Sequence, residues 1–365
     1  MSEKQIKLAI CGIGNCASSL IQGISRFSTS GELTGLKYRV INGYKLSDVQ
    51  IVAAFDIDNR KVGKDVSEAI FESPNNTLIF QDKIEKMGVI VQKGPTLDGI
   101  APHTGNFPEN QRIVEYKGPD VDVVSVLRES GAEIFINYLP VGSQVATEFY
   151  ANACLEAGVH FINAIPVFIA SDEKWRKKFS DKGLCLIGDD IKSQVGATIV
   201  HRLLSRLFNK RGVDIEKTYQ LNVGGNTDFL NMKDNARIIS KKVSKTQSVR
   251  SQISSQISDD NVHIGPSDYV PWLKDNKVAF IRLEGFLFGG APIELDVRLS
   301  VEDSPNSAGV MVDVIRFMKL AIENKNYDLV DIVSAYGFKS PRTQMSDEDS
   351  WSILEKYVKN NDNIL

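Results

Sequence analysis

Ile6 to Gly12 is a short apolar run that ends at a glycine, passes through Gly12-Ile13-Gly14-Asn15-Cys16-Ala17, and continues by Ser18-Ser19-Leu20 into helical periodicity. Apolar runs that do not alternate with polar residues read as strands buried on both faces, which ties them to a parallel sheet covered by helices. Gln50 to Asp56, Glu133 to Tyr138, Val159 to Ala164 and Leu184 to Gly188 repeat this signature, with amphipathic stretches such as Ser143 to Ala157 between them. The alternation predicts an α/β fold of the Rossmann type, a doubly wound parallel sheet with crossover helices.

The first turn has the G-x-G-x-x-A form of a dinucleotide loop. Gly12 permits the tight turn, Gly14 lets a pyrophosphate approach the backbone, and Ala17 lets helix pack closely on strand; Asn15 and Cys16 complete the loop. The second strand ends in Asp56, a carboxylate suited to both ribose hydroxyls, which favours NAD over NADP because a 2′-phosphate would be repelled. Asp56 lies farther from the glycines than the usual ~20 residues, and the excess, Phe27 to Leu46, reads as an inserted excursion. A glycine turn in an unrelated α/β protein is the alternative. Asn137 to Ser143, with Tyr138 and Pro140, is a second turn at a strand end, either lining the ligand crevice or merely connecting. Thr96 and Asp98, in the Gly/Pro/Asn-rich loop Lys86 to Gln111, are candidates to cover the adenosine half.

Between Gly188 and Thr198 the chain reads GDDIKSQVGAT and runs into IVHRLLSRLF. A helix starting there presents Ser193, Gln194, Thr198 and free amides of the turn, Gly196 and Ala197 included, to an anion such as phosphate. Beyond it the pattern changes. Tyr219 to Val223, Val278 to Leu287 and Ile293 to Val301 predict an antiparallel layer, hence an inserted α+β domain, and the stretches from Asn306 to Met318 and Asp347 to Val358 are helical in period. In Ala236 to Gln247, Arg237, Lys241 and Lys245 fall four apart and share one helix face. Like charges at that spacing repel, so the face is either solvated or meets an anion. Gly224 to Asn231, GGNTDFLN, is either ordinary turn chemistry or a set of groups orienting a polyol. Asp303 to Gly309 reads as a helix start capped by Ser304 or Asn306, with Asp303 facing a cleft as the alternative. Lys277 and Lys339 read, by themselves, as surface charges.

Composition excludes several classes. With 365 residues, a formal net charge of −3 and pI near 5.9, the chain lacks the basic excess of a nucleic-acid binder. It has no apolar run of the ~20 residues that span a membrane, and a cytoplasmic protein is expected. Cys11, Cys16, Cys154 and Cys185 have no CxxC spacing and read as free thiols, and the four scattered histidines suggest no metal cage. Phe27 to Leu46 and Ala236 to Asp260 are polar enough to be candidates for ordering on binding.

GIGNCASSL, AFDID, NYLPVGS, GDDIKSQVGAT, NVGGNTDFLN, SKKVSK, DNKVAF, DSPNSAG and AYGFKSP, in this order across nearly the whole chain, resemble the myo-inositol-1-phosphate synthase (inositol-3-phosphate synthase) family in its shorter archaeal and bacterial form. The resemblance implies an NAD-dependent isomerase of glucose 6-phosphate: oxidation at carbon 5, enolisation at carbon 6, attack on the aldehyde at carbon 1, and return of the hydride. It implies Lys241, Lys245, Lys277 and Lys339 as the active-site lysines, with Lys241 and Lys277 at the oxygens of carbons 5 and 1. Lys245 and the Ser193 to Thr198 turn, Gln194 included, would hold the phosphate. Asp190, Asp228 and Asp303 would relay protons or bind a divalent or monovalent cation, and Asp189 would join the cofactor site. It also implies a homotetramer paired through second-domain sheets. The expected division is 1–200 for the NAD-binding domain, 201–305 for the catalytic and oligomerisation domain, and 306–365 for helices returning to the first. Two other readings fit the same two-domain plan: a net dehydrogenase of a phosphorylated sugar or semialdehyde, and a non-catalytic NAD-sensing regulator.

Overall fold

The computed structural model describes residues 4–32, 34–253 and 257–358. In the first half β1 (Ile6–Cys11), α1 (Asn15–Ser30), a small hairpin of β2 (Val40–Ile41) and β3 (Tyr44–Lys45), and β4 (Val49–Asp56) are followed by α2 (Val66–Ala69) and β5 (Val91–Lys93). Then come α3 (Val123–Ser130), β6 (Ile134–Asn137), α4 (Gln144–Ala157), β7 (His160–Asn163), α5 (Glu173–Asp181) and β8 (Leu186–Ile187). The order β5-β4-β1-β6-β7-β8, parallel throughout, is the doubly wound arrangement that the apolar runs predict. The winding reverses between β1 and β6, so a crevice opens beyond the carboxyl ends of these strands, the place where such sheets bind ligands.

The second half contains α6 (Ala197–Lys210), β9 (Asp214–Gly224), α7 (Thr227–Asn231), α8 (Asn235–Arg250), β10 (Val262–Tyr269), β11 (Asn276–Phe286) and β12 (Pro292–Glu302). Its sheet runs β10-β9-β11-β12. β9, β11 and β12 are antiparallel neighbours, but β10 lies parallel to β9. The expected all-antiparallel layer is therefore mixed, because the chain crosses over through α7 and α8 before returning in the same direction. Phe208 of α6 packs on Ile215, Ala279, Ile281 and Leu283 of this sheet.

α9 (Asp303–Glu323), α10 (Tyr327–Gly337) and α11 (Asp347–Glu355) close the described chain. α9 packs against α1, and its Met311, Ile315 and Met318 join Leu20, Ile21 and Ile24 in the largest core. Among the described residues no helix is long and apolar enough to cross a membrane. The excursion from Phe27 to Leu46 is not poor in core: Leu36, Tyr38, Ile41, Tyr44 and Leu46 are buried. Of the two stretches expected to order on binding, residues 33 and 254–256 lie outside the described residues.

Candidate active site

The glycine loop closes over the end of β1. Gly12 has φ +80°, a conformation that costs a side chain, and an added Cβ would meet the Tyr138 carbonyl oxygen at 2.5 Å. Nothing lies within 4 Å of the corresponding position at Gly14, which precedes the first residue of α1. Asp56 ends β4 and accepts the Ile13 amide at 2.7 Å through Oδ2 and the Ile57 amide at 2.7 Å through Oδ1. Lys61, buried, braces the loop from beneath by donating to the Ile13 carbonyl at 2.8 Å. This combination, a tight turn without side chain, an open approach to a helix N-terminus and a carboxylate at the next strand end, fits a dinucleotide. Gly12, Gly14, Asn15, Cys16, Asp56, Tyr138 and Pro140 all line one cavity. Ala17 is buried in the core behind it, where it permits the close packing expected of it.

Two cofactor expectations are corrected. Asp189 is fully buried, and its carboxylate turns away from the cavity to accept bonds from Asn163, the amides of Ile169, Ala170 and Ser171, and the Ser171 hydroxyl. Five donors fix a loop and leave the carboxylate no reach toward a ligand. Asp98 instead caps α4, accepting the Val145 and Ala146 amides at 2.8 and 2.9 Å; Thr96 lines the cavity while donating to Glu115 at 2.6 Å.

On the opposite wall α6 starts at Ala197 after Gly196. Its first amides have no intrahelical acceptor, and Ser193, Gly196, Ala197, Thr198 and Ile199 border the same cavity. Gln194 does not. Its side chain donates to the Gly35 carbonyl at 2.7 Å, on the far side of the turn. Asn306 accepts the Gln194 and Val195 amides, so it holds this turn, and α9 begins at Asp303 after Glu302, two residues earlier than a Ser304 cap predicts and four earlier than an Asn306 cap, with no side-chain cap.

Between the two walls stand the lysines. Lys339 Nζ lies 2.8 Å from Asp190 Oδ1, Lys241 Nζ 3.1 Å from Asp228 Oδ2, and Lys277 pairs with Asp303. Lys277 and Lys339 are thus largely buried, not the surface charges that their isolated positions predict. Asp190 carries φ +63°, a left-handed backbone uncommon outside glycine and frequent at functional sites; its second oxygen accepts the Ser244 hydroxyl at 2.8 Å. Lys245, also buried, has neither a carboxylate nor a hydrogen-bond partner among the described residues. Arg237 leaves the row that periodicity assigns it: its guanidinium donates to the carbonyls of Val141 and Asp98, bracing the Asn137 to Ser143 turn.

These pairings set the charges. Burial disfavours the Lys241 ammonium, but Asp228 and Asp190 more than reverse it and raise its pKa. Burial and the neighbouring ammonium groups of Lys241, Lys339 and Lys277 push Lys245 well below an ordinary lysine. Burial opposes ionisation of Asp190 and Asp303, yet Lys339 and Lys241 hold the first, and Lys277 the second, below the usual carboxylate range. Among the described residues no group of three or more His, Cys, Asp and Glu side chains is placed to hold a metal ion.

Asp275 was not singled out in the sequence. It accepts from Asn15, Asn226 and the Ser304 amide and hydroxyl, so it links the glycine loop to the lysine wall. The signal the sequence offers is that it opens the DNKVAF run, two residues before Lys277.

The chain is 50% identical over 368 residues to the inositol-3-phosphate synthase of Mycolicibacterium smegmatis, covering 98% of this chain and 100% of the relative. The chain belongs to the myo-inositol-1-phosphate synthase family. The pattern of the family described as myo-inositol-1-phosphate synthase matches residues 196–304, from the N-cap of α6 to the start of α9. The synthase of Corynebacterium glutamicum is 47% identical, with 98% of this chain and 99% of that one covered. A synthase-related protein of Thermotoga maritima has the same fold, with a TM-score of 0.80 at 23% identity over 97% of this chain and 98% of that one. Membership in the synthase family makes the chain an NAD-using enzyme, and the cavity joins the glycine loop to a wall of lysines.

Proposed function

We propose that the chain converts glucose 6-phosphate to an inositol monophosphate, the 3-phosphate in the family's usual label, without net redox. The observation that carries this reading is the convergence of four lysines from three separate segments on one cavity with the glycine loop. NAD, when bound, takes a hydride from the sugar and later restores it.

Gly12, Gly14, Asn15, Cys16, Asp56, Tyr138 and Pro140 are assigned to the cofactor. Ser193, Gly196, Ala197 and Thr198 hold the phosphate through the start of α6, and Lys245 adds a cation where a dianion arrives. Enolisation and ring closure place negative charge on oxygens, and fixed ammonium groups stabilise such charge best in a site poor in water. Lys241, held protonated by Asp228 and Asp190, supplies that charge at one oxygen, and Lys277 at the other. Lys339 and Asp190, in contact, form a pair able to pass a proton to or from the sugar. A cation, divalent or monovalent, would enter by sharing Asp190 or Asp303 with these lysines.

The outer face of the second sheet, with Leu221 beside a half-exposed Phe280, together with exposed Phe286 and Phe288, supports assembly through that sheet into a homotetramer. Four free cysteines among the described residues suit a reducing compartment such as the cytoplasm. The test is incubation with NAD and glucose 6-phosphate. Formation of a phosphorylated cyclitol with no growth in NADH absorbance supports the reading; stoichiometric NADH would assign a dehydrogenase, and no product a regulator.

A further inference from the structure

Outside the cavity, one carboxylate gathers the segments that build it. Asp347 opens α11, and its Oδ1 lies 2.8 Å from Lys192 Nζ while its Oδ2 lies 2.7 Å from Arg202 Nε. Both cations are almost fully buried, with side chains 1% exposed. Lys192 precedes Ser193 of the phosphate turn; its Nζ also donates to the Ala335 carbonyl at 2.7 Å and its amide to the Gly337 carbonyl at 2.8 Å, two residues before Lys339. Arg202 lies one turn beyond Thr198 on α6. Its Nη1 donates to the Ser248 carbonyl at 2.7 Å and the Ser248 hydroxyl at 3.1 Å, and its Nη2 to the Met345 carbonyl at 2.6 Å. Ser248 stands one helical turn after Lys245 on α8.

None of Asp347, Lys192 and Arg202 borders the cavity. Their network nevertheless reaches three segments that do, the phosphate turn, α6 and α8, and the end of α10 two residues before the lining Lys339; the Met345 carbonyl lies outside them. We infer that Asp347 is a positioning residue, which sets the lysine helix and the phosphate turn in register with one another from the rear of the site. The inference rests on the reading of the cavity as a sugar-phosphate site. An uncharged side chain at 347 leaves two buried cations without their anion, and the surroundings must move to hydrate them. The segments that these two cations brace are the phosphate turn, α6 and α8, whereas the glycine loop is tied separately to Asp56 and Lys61.

The experiment compares the full-length chain with Asp347→Asn, Asp347→Glu and Arg202→Lys, the last keeping the charge but losing the fork to Ser248 and Met345. It measures kcat and KM for glucose 6-phosphate, the Kd for NAD, the Kd for inorganic phosphate by calorimetry, and Tm. Asp347→Asn and Arg202→Lys are expected to raise KM and the phosphate Kd at least tenfold, with NAD affinity within twofold of the parent and Asp347→Glu recovering most of the loss. Variants that lose stability but bind phosphate and NAD like the parent at temperatures where they are folded would overturn the inference, as would loss of NAD and phosphate binding in parallel. If Asp347→Asn does not fold, Arg202→Lys decides alone. A parent chain that makes no cyclitol phosphate refutes the functional reading instead, and the phosphate Kd values then still judge the positioning.

Discussion

Lys339 Nζ lies 2.8 Å from Asp190 Oδ1, so a residue just past α10 completes a site whose carboxylate follows β8. The four lysines of the site reach the cavity from three segments, Lys241 and Lys245 sharing α8, and all but Lys245 do so in partnership with an aspartate.

Replacing Lys277 or Lys241 by Ala removes a fixed charge from beside a developing oxyanion. The expected loss in kcat is about 10²–10³-fold, the usual effect of deleting one such donor. Cyclitol phosphate formation measured at saturating substrate, beside an NAD titration showing unaltered affinity, checks this; wild-type turnover in either variant removes that lysine from the chemistry.

Gly12→Ala forces a methyl group to within 2.5 Å of the Tyr138 carbonyl oxygen at a left-handed φ. Strain of about 1–3 kcal/mol is expected for such a backbone, with the loop displaced from the cofactor. NAD affinity should fall more than tenfold, as read by fluorescence titration. Retention of parental affinity would mean that the loop is not the cofactor cradle.

Asp56→Asn removes the charge that repels a 2′-phosphate and weakens the bond from the Ile13 amide. Both NAD and NADP are then bound by a looser loop, but NAD loses more. The ratio of their Kd values should approach one, and an unchanged ratio would exclude Asp56 from discrimination.

Lys245 titrates in the folded chain well below the 10.5 of an ordinary lysine. Between those two values the unfolded chain holds a proton that the folded chain lacks, so this residue makes stability rise with pH across the window. Below the folded value the full penalty applies. Lys245→Met should therefore be more stable than the parent at pH 7, while binding phosphate poorly. Denaturant melts at pH 7 and pH 10 test the sign: the gain must shrink toward the higher pH.

The parallel sheet was legible because buried strands leave unbroken apolar runs, and Gly12 to Ala17 because few backbone geometries admit that spacing. β10 was not, since Gly265 and Pro266 read as breakers and its pairing with β9 depends on a crossover. Periodicity placed Arg237, Lys241 and Lys245 in one row, yet Arg237 bends to the Val141 and Asp98 carbonyls, a contact with residues about a hundred or more positions away. Lys277 and Lys339 looked like surface charges for the same reason: what buries a cation is a carboxylate elsewhere in the chain. Asp189 and Gln194 show the converse, since a motif fixes the path of the backbone but not which way each side chain turns.

The amines that would act on the sugar are contributed by α8, by β11 and by the stretch after α10, the last of these more than three hundred residues from the glycine loop. Because α9 packs Met311, Ile315 and Met318 against Leu20, Ile21 and Ile24 of α1, the nucleotide half and the last of these amines are finished together, by the final quarter of the polypeptide.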